Sequence, residues 1–197
     1  MIKKIIKDTL ALVVIALVAV LCLAVVYALT KGPIADAEQN EKFEAYREVC
    51  AEAASFDDEN IAPETGVEAD VRVDEIHVAR NGDGDPVGAV MLVTTNQGYG
   101  GNITISMCVK NDGSLGGVRV ISMNETPGLG AKCTDSAWIS QFAGIKADKV
   151  GYTKDGNAAE NEIDAITGAT YTTEAIVGAV NVGLDCFRDL VSGGVIG

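Results

Sequence analysis

The chain has 197 residues, with 15 basic and 28 acidic side chains, one histidine, five cysteines and a formal net charge of −13. That length accommodates one membrane anchor and one domain of ordinary size. Residues 1–8 hold three lysines and one aspartate, which leaves 12 basic against 27 acidic residues beyond them; a surface this negative repels phosphate backbones and excludes nucleic-acid binding.

Lys3, Lys4 and Lys7 lead into residues 9–29, which carry no charge and are mostly Leu, Val, Ile and Ala. As a helix this stretch reaches about 31 Å, the thickness of a bilayer's hydrocarbon core. A cleaved signal peptide has a shorter apolar core and a small-x-small cleavage site. Tyr27-Ala28-Leu29-Thr30-Lys31 lacks that pattern, so the segment is expected to stay in membrane lipid as an anchor. Three lysines precede the span, and Asp36, Glu38 and Glu41 outnumber Lys31 and Lys42 just beyond it. The positive-inside bias then predicts a cell-membrane protein with a cytoplasmic N-terminus and an extracytoplasmic domain. The expected organisation is a cytoplasmic N-terminus at 1–8, a transmembrane helix at 9–29, a linker and surface helix at 30–66, and a domain at 67–197.

Lys31-Gly32-Pro33 is expected to break the helix, and a second helix is expected from about Ala35 to Ala54. Phe43, Tyr46, Cys50 and Ala53 would share its packed face. A polar segment with Pro63 and Gly66 follows. Residues 71–79 alternate Val71, Val73, His77 and Ala79 with polar neighbours, turn at 81–86, and resume as an apolar run at 87–95, which predicts a hairpin. Asn81, Asp83 and Asp85 have the alternating spacing of a calcium loop. Pro86 and Leu92 stand where an EF-hand needs Gly and Glu, so the segment is read as a turn. Residues 102–110 alternate strictly, 111–114 turn, and 115–123 return as a strand. Four strands on short turns imply an antiparallel sheet. A glycine-rich loop at 124–130 precedes a short helix around Trp138, and residues 172–191 form a closing helix with Ile176, Val180, Leu184, Phe187 and Val191 on one face. The predicted fold class is α+β.

His77, on a strand, is expected to be an exposed side chain rather than a ligand. Cys22 lies in the span, and Cys50, Cys108, Cys133 and Cys186 are scattered without a C-x-x-C or Cys/His pair, so no metal site held by this chain is predicted. An outside location permits disulfides, but three pairings of four cysteines stay open. Small buried thiols are the default for most of them.

The most informative stretch is Asp164-Ala-Ile-Thr167-Gly168-Ala169-Thr170, a loop directly before the closing helix. A helix N-terminus offers free N–H groups and the positive end of a dipole, which favour phosphate. Gly168 and Ala169 lack bulk, Thr170 supplies a hydroxyl beside such a phosphate, and Asp164 can take a proton or help hold a divalent cation. The competing reading is that Thr170 or Thr172 caps the helix.

This stretch resembles the flavinylation motif Asp-x-x-(Ser/Thr)-Gly-Ala-(Ser/Thr) of the FMN-binding domain family. The resemblance implies FMN joined covalently through its phosphate to Thr170, delivered from FAD by a separate Mg²⁺-dependent flavin transferase. Gly98-Tyr99-Gly100-Gly101 is similar to the segment that approaches the flavin in that family, and Glu125-Thr126-Pro127-Gly128-Leu129-Gly130 to its Glu-Thr-Pro-Gly-Leu-Gly loop. The implied cofactor-binding residues are therefore Thr170, Asp164, Thr167, Gly168, Ala169, Tyr99, Gly100, Gly101, Glu125, Thr126, Gly128 and Leu129. Leu129 is expected against the flavin ring, and no residue is assigned catalysis alone.

One N-terminal span before such a domain resembles the G-subunit family of the Rnf complex, an ion-translocating ferredoxin:NAD⁺ oxidoreductase. The C subunit of the Na⁺-translocating NADH:quinone oxidoreductase shares that plan. The resemblance implies an electron carrier among the other Rnf subunits, the flavin-bearing D subunit included. Two rivals are a free-standing flavoprotein reductase or electron shuttle of the cell surface, and an anchored binding module in which Thr170 is only a cap.

Overall fold

The computed structural model describes residues 2–57, 59–61, 67–68 and 70–194; the polar segment with Pro63 and Gly66 lies outside the described residues. Helix α1 runs from Ile2 to Val49 and continues through Pro33. This corrects the expected break. Proline removes one N–H and so one backbone bond, and the Ala- and Glu-rich residues that follow are good helix formers. The helix then stops at Val49 rather than Ala54. The chain forms two compact units, Met1–Phe43 and Glu44–Gly197. In the first, Ala16–Pro33 has a mean hydropathy of 1.9 and buries nothing against protein, so by length and composition it suits a membrane.

The second unit is built on an antiparallel sheet. Its strands are β1 (Ser55–Phe56), β2 (Val67–Glu68), β3 (Val71–Arg80), β4 (Pro86–Gly98), β5 (Gly101–Lys110) and β6 (Leu115–Ser122). The order is β1-β3-β4-β5-β6, with β2 on the same edge of β3 as β1 but at its other end. The β3–β4 turn closes because the Asn81 side-chain oxygen accepts the backbone N–H groups of Asp83 and Asp85 at 3.0 and 2.9 Å. Beyond the sheet come α2 (Ser136–Ile139), a parallel pair β7 (Gly151–Thr153) and β8 (Glu162–Asp164), and α3 (Thr170–Ser192).

A register shift between Val73 and Glu75 reverses the side-chain parity of β3. Val71 and Val73 therefore join Ile76 and Val78 on the face that packs under α3, with Met91, Ile105, Met107, Ile176 and Val180. Ala79 turns to the opposite face, where Tyr46, Val49, Cys50, Val90 and Cys108 form a smaller core. The expected single face of Val71, Val73, His77 and Ala79 is thus split by the bulge. His77 is also not exposed: 14 % of its side chain is accessible, and its Nδ1 lies 2.8 Å from the Asp57 carbonyl oxygen. Its ring sits 5.9 Å from that of Tyr46. Phe43, expected on the packed face, is exposed, whereas Tyr46 and Cys50 are buried. A disulfide joins Cys50 to Cys108 with the Cα atoms 5.4 Å apart, while Cys133 and Cys186 are buried thiols.

Candidate functional site at the N-terminus of α3

Thr170 is the first residue of α3 and Ala169 its N-cap, so no side-chain oxygen caps the helix from that position. The first backbone bond runs from Thr173 N to Ala169 O at 3.1 Å, which leaves the N–H groups of Thr170, Tyr171 and Thr172 without intrahelical acceptors. The other two threonines of this turn are engaged. Thr173 Oγ1 donates to Ala169 O at 3.2 Å and accepts from Ile166 N at 3.1 Å, which ties the preceding loop to the helix. Thr172 Oγ1 donates to Glu125 Oε2 at 2.9 Å. Thr170 Oγ1 has no hydrogen bond among the described residues, and Thr170 is half-buried. Neither Thr170 nor Thr172 is the cap; the hydroxyl of Thr170 is free for chemistry.

Thr170 lines a cavity of about 350 Å³. Three chain segments meet there because Glu125 joins them. Its side chain is buried, Oε1 accepts from Gly100 N at 3.1 Å, and Oε2 takes the Thr172 hydroxyl. The packing around this carboxylate requires glycine. A Cβ on Gly130 would stand 2.3 Å from Glu125 Oε2, and one on Gly100 would stand 1.7 Å from Asn124 O. Gly168 has φ of +79°, which an L side chain adopts only with strain, and the Leu129 side chain lies beside it. Glu125 also bears on its surroundings electrically: burial first, and its charge second, push the Cys133 thiol up to about 11.

Of the sequence-predicted residues, Tyr99, Glu125, Thr126, Leu129, Gly168, Ala169 and Thr170 come together around this cavity. Gly100, Gly101, Gly128 and Thr167 shape the loops behind it and do not line it. Asp164 also stands back, on β8. Its backbone N–H donates to Gln141 Oε1 at 2.7 Å, and its carbonyl accepts from Trp138 Nε1 at 2.7 Å. Its Oδ1 is shielded from solvent and without a partner among the described residues. Sequence reasoning missed three lining residues, Gly130, Tyr171 and Thr172. Gly130 ends a motif already in view, and Tyr171 directly follows the candidate acceptor. The partner of Thr172 is 47 positions away, beyond the reach of local pattern. Among the described residues no cluster of His, Cys, Asp or Glu is suited to a metal ion. Recesses of about 570 and 520 Å³ lie elsewhere on the domain. The smaller cavity is distinguished by an unpaired hydroxyl at an uncapped N-terminus of a 23-residue helix.

The family model for the RnfG N-terminal region matches residues 1–49, and that for the FMN-binding domain matches residues 98–185. The G subunit of the Na⁺-translocating ferredoxin:NAD⁺ oxidoreductase complex of Acetobacterium woodii is 34 % identical, over 95 % of this chain and 94 % of its own. The chain belongs to the G-subunit family of ion-translocating oxidoreductase complexes. A second member, the G subunit of the ion-translocating oxidoreductase complex of Cereibacter sphaeroides, is 35 % identical over 87 % of this chain and 79 % of its own. The crystal structure of NqrC from Shewanella oneidensis shares the fold, with a TM-score of 0.52 and 21 % identity over 72 % of this chain and 73 % of that one. The FMN-binding domain match contains the whole cavity and the 164–170 loop. The cavity suits the group: unpaired N–H groups for a phosphate, a hydroxyl beside them, and an apolar rim from Tyr99, Leu129 and Tyr171 for a ring system.

Proposed function

We propose that this chain is the electron-carrier subunit of a membrane-bound ion-translocating ferredoxin:NAD⁺ oxidoreductase complex, with FMN esterified through its phosphate to Thr170. The observation that carries this reading is the Thr170 hydroxyl, alone among the threonines of its turn in having no partner, placed at an open helix N-terminus in a cavity wall. FMN, when bound, supplies electron transfer in one- or two-electron steps. The chain's own residues hold and orient it. The N–H groups of Thr170, Tyr171 and Thr172, at the positive end of α3, receive the phosphate. Glu125 keeps the 98–101 turn and the 124–130 loop locked to α3, so the cavity is preformed. Leu129 supplies apolar surface for the ring. Asp164 stands back on β8 with its partnerless Oδ1 shielded from solvent, and its part in attachment, taking the hydroxyl proton or helping to hold a divalent cation, belongs to the encounter with a flavin transferase rather than to the cavity as it stands.

Residues 9–29 are the membrane span, with residues 1–8 in the cytoplasm and the domain on the extracytoplasmic side. The lysines before the span support that orientation, and so does the disulfide Cys50–Cys108, since disulfides persist in oxidising compartments. Covalent attachment suits that side, where a dissociated flavin would be lost by dilution. Anchoring holds the flavin at high effective concentration beside the other subunits, including the flavin-bearing D subunit. The chain is not catalytic alone.

The test is made on the full chain produced together with a flavin transferase. The denatured wild-type protein should fluoresce in a gel, Thr170→Ala should not, and the flavin-bearing peptide should contain Thr170. A flavin peptide mapping to Thr167, Thr172 or Thr173 would overturn the assignment. Wild-type protein with no bound flavin would leave only a binding module.

A further inference from the structure

Esterification at Thr170 fixes the phosphate end of a flavin but leaves the ring on a flexible arm. Some other feature must set the ring plane. Among the described residues of Glu44–Gly197, the exposed large apolar side chains are Tyr99 (74 %), Tyr171 (68 %), Leu129 (45 %) and Val191 (44 %). Three of these four border the one cavity that holds Thr170. An apolar group gathered around a recess marks a binding surface more often than scattered exposure does.

The tyrosines sharpen the point. Tyr46 and Tyr152 each donate the phenol to a carboxylate, Glu75 and Glu174 respectively. Tyr99 and Tyr171 have neither a hydrogen bond nor a ring contact among the described residues. Tyr171 stands at the second position of α3, directly after the acceptor. Side chains on a helix lean toward its N-terminus, so the Tyr171 ring is directed to the end where the phosphate is held. Aromatic planes pair by offset or edge contact, and a phenol offers such a plane with little conformational freedom to lose.

We propose that Tyr171 is the aromatic wall on which the ring of the attached flavin rests, with Leu129 and Tyr99 framing the same seat. The proposal rests on the reading of Thr170 as the flavin acceptor. Tyr171 is a positioning residue for the cofactor and a control on its electronic environment.

Flavin fluorescence reads this directly. A phenol in contact with an excited flavin donates an electron to it and quenches emission, whereas a phenyl ring donates poorly and an alkyl group does not. The measurement uses detergent-solubilised full chain, loaded by the transferase and normalised to covalent flavin. Tyr171→Phe should raise emission severalfold while keeping the wild-type absorbance bands, because the stack remains. Tyr171→Leu should raise emission and also move the bands toward those of flavin in water. Unchanged emission and bands in both variants, at wild-type flavin content, would overturn the proposal and leave the acceptor reading intact. A change in Tyr99→Leu alone would assign the wall to Tyr99 and likewise overturn it. Absence of covalent flavin from the wild-type chain would bring down the acceptor reading and this proposal with it.

Discussion

Replacing Glu125 with alanine removes the one side chain among the described residues that joins the 98–101 turn, the 124–130 loop and the first turn of α3. Two donors lose their acceptor, Gly100 N at 3.1 Å and Thr172 Oγ1 at 2.9 Å. A buried donor left unsatisfied costs about 1–3 kcal/mol. Gly100 is exposed and water can replace the carboxylate there, but Thr172 is 1 % exposed and has no such recourse. The expected loss is therefore about 2–3 kcal/mol, most of it from Thr172 and the void beside Gly130. For a unit of this size that corresponds to a fall in Tm of roughly 4–12 °C. Glu125→Gln keeps one acceptor and the shape, and should cost about 1 kcal/mol. The assay is thermal unfolding of the detergent-solubilised full chain, with Thr172→Val completing a double-mutant cycle. Because each single change strands the other's partner, the double variant should cost less than the sum of the singles by at least about 0.5 kcal/mol. Additive effects, or a Glu125→Ala protein as stable as wild type, would refute the account of Glu125 as the joint of the site.

Leu129→Ala should keep the covalent bond yet change the flavin absorbance or potential, and if neither moved, the 125–130 loop would be structural only. Peptide mapping without reductant should find Cys50 linked to Cys108 and Cys133 and Cys186 free. Closing a loop of 58 residues is worth about 4 kcal/mol by chain entropy, so reduction should lower stability by that order, and both cysteines reacting with an alkylating agent before reduction would contradict the pairing. Cys133, held up to about 11 against an ordinary 9.0, binds its proton more tightly folded than unfolded. Its contribution is present below pH 9 and lost as pH rises through 11. Cys133→Ala should flatten that alkaline limb in urea titrations, and an unaltered slope would sink the idea.

The hairpins were legible because strict alternation and Asn/Asp/Gly turns are local signals, and the Asn81 turn closes through its own side chain. Pro33 reads as a stop because it lacks an N–H, yet that loss costs a long helix only one bond. The split face of β3 was hidden because a bulge adds a residue without any composition mark, and everything after Glu75 then changes side. His77 followed that change into contact with Tyr46. The 164–170 loop is visible as small residues before a helix. Which of its threonines is free is not, since that depends on Glu125 engaging Thr172 and on Thr173 closing the turn. The pairing of Cys50 with Cys108 depends on the end of α1 lying on the sheet, which no spacing in the chain encodes.

In the proposed function electrons pass through a flavin on Thr170, and ferredoxin-dependent NAD⁺ reduction by membranes carrying Thr170→Ala tests this. The span and the sheet do not depend on the flavin, so the complex should assemble normally, carry no covalent flavin on this chain, and lose the activity. Thr170→Ser, which restores a hydroxyl at the same place, should recover part of it. Full activity in Thr170→Ala membranes, with flavin shown absent from this chain by in-gel fluorescence, would contradict the electron-carrier account.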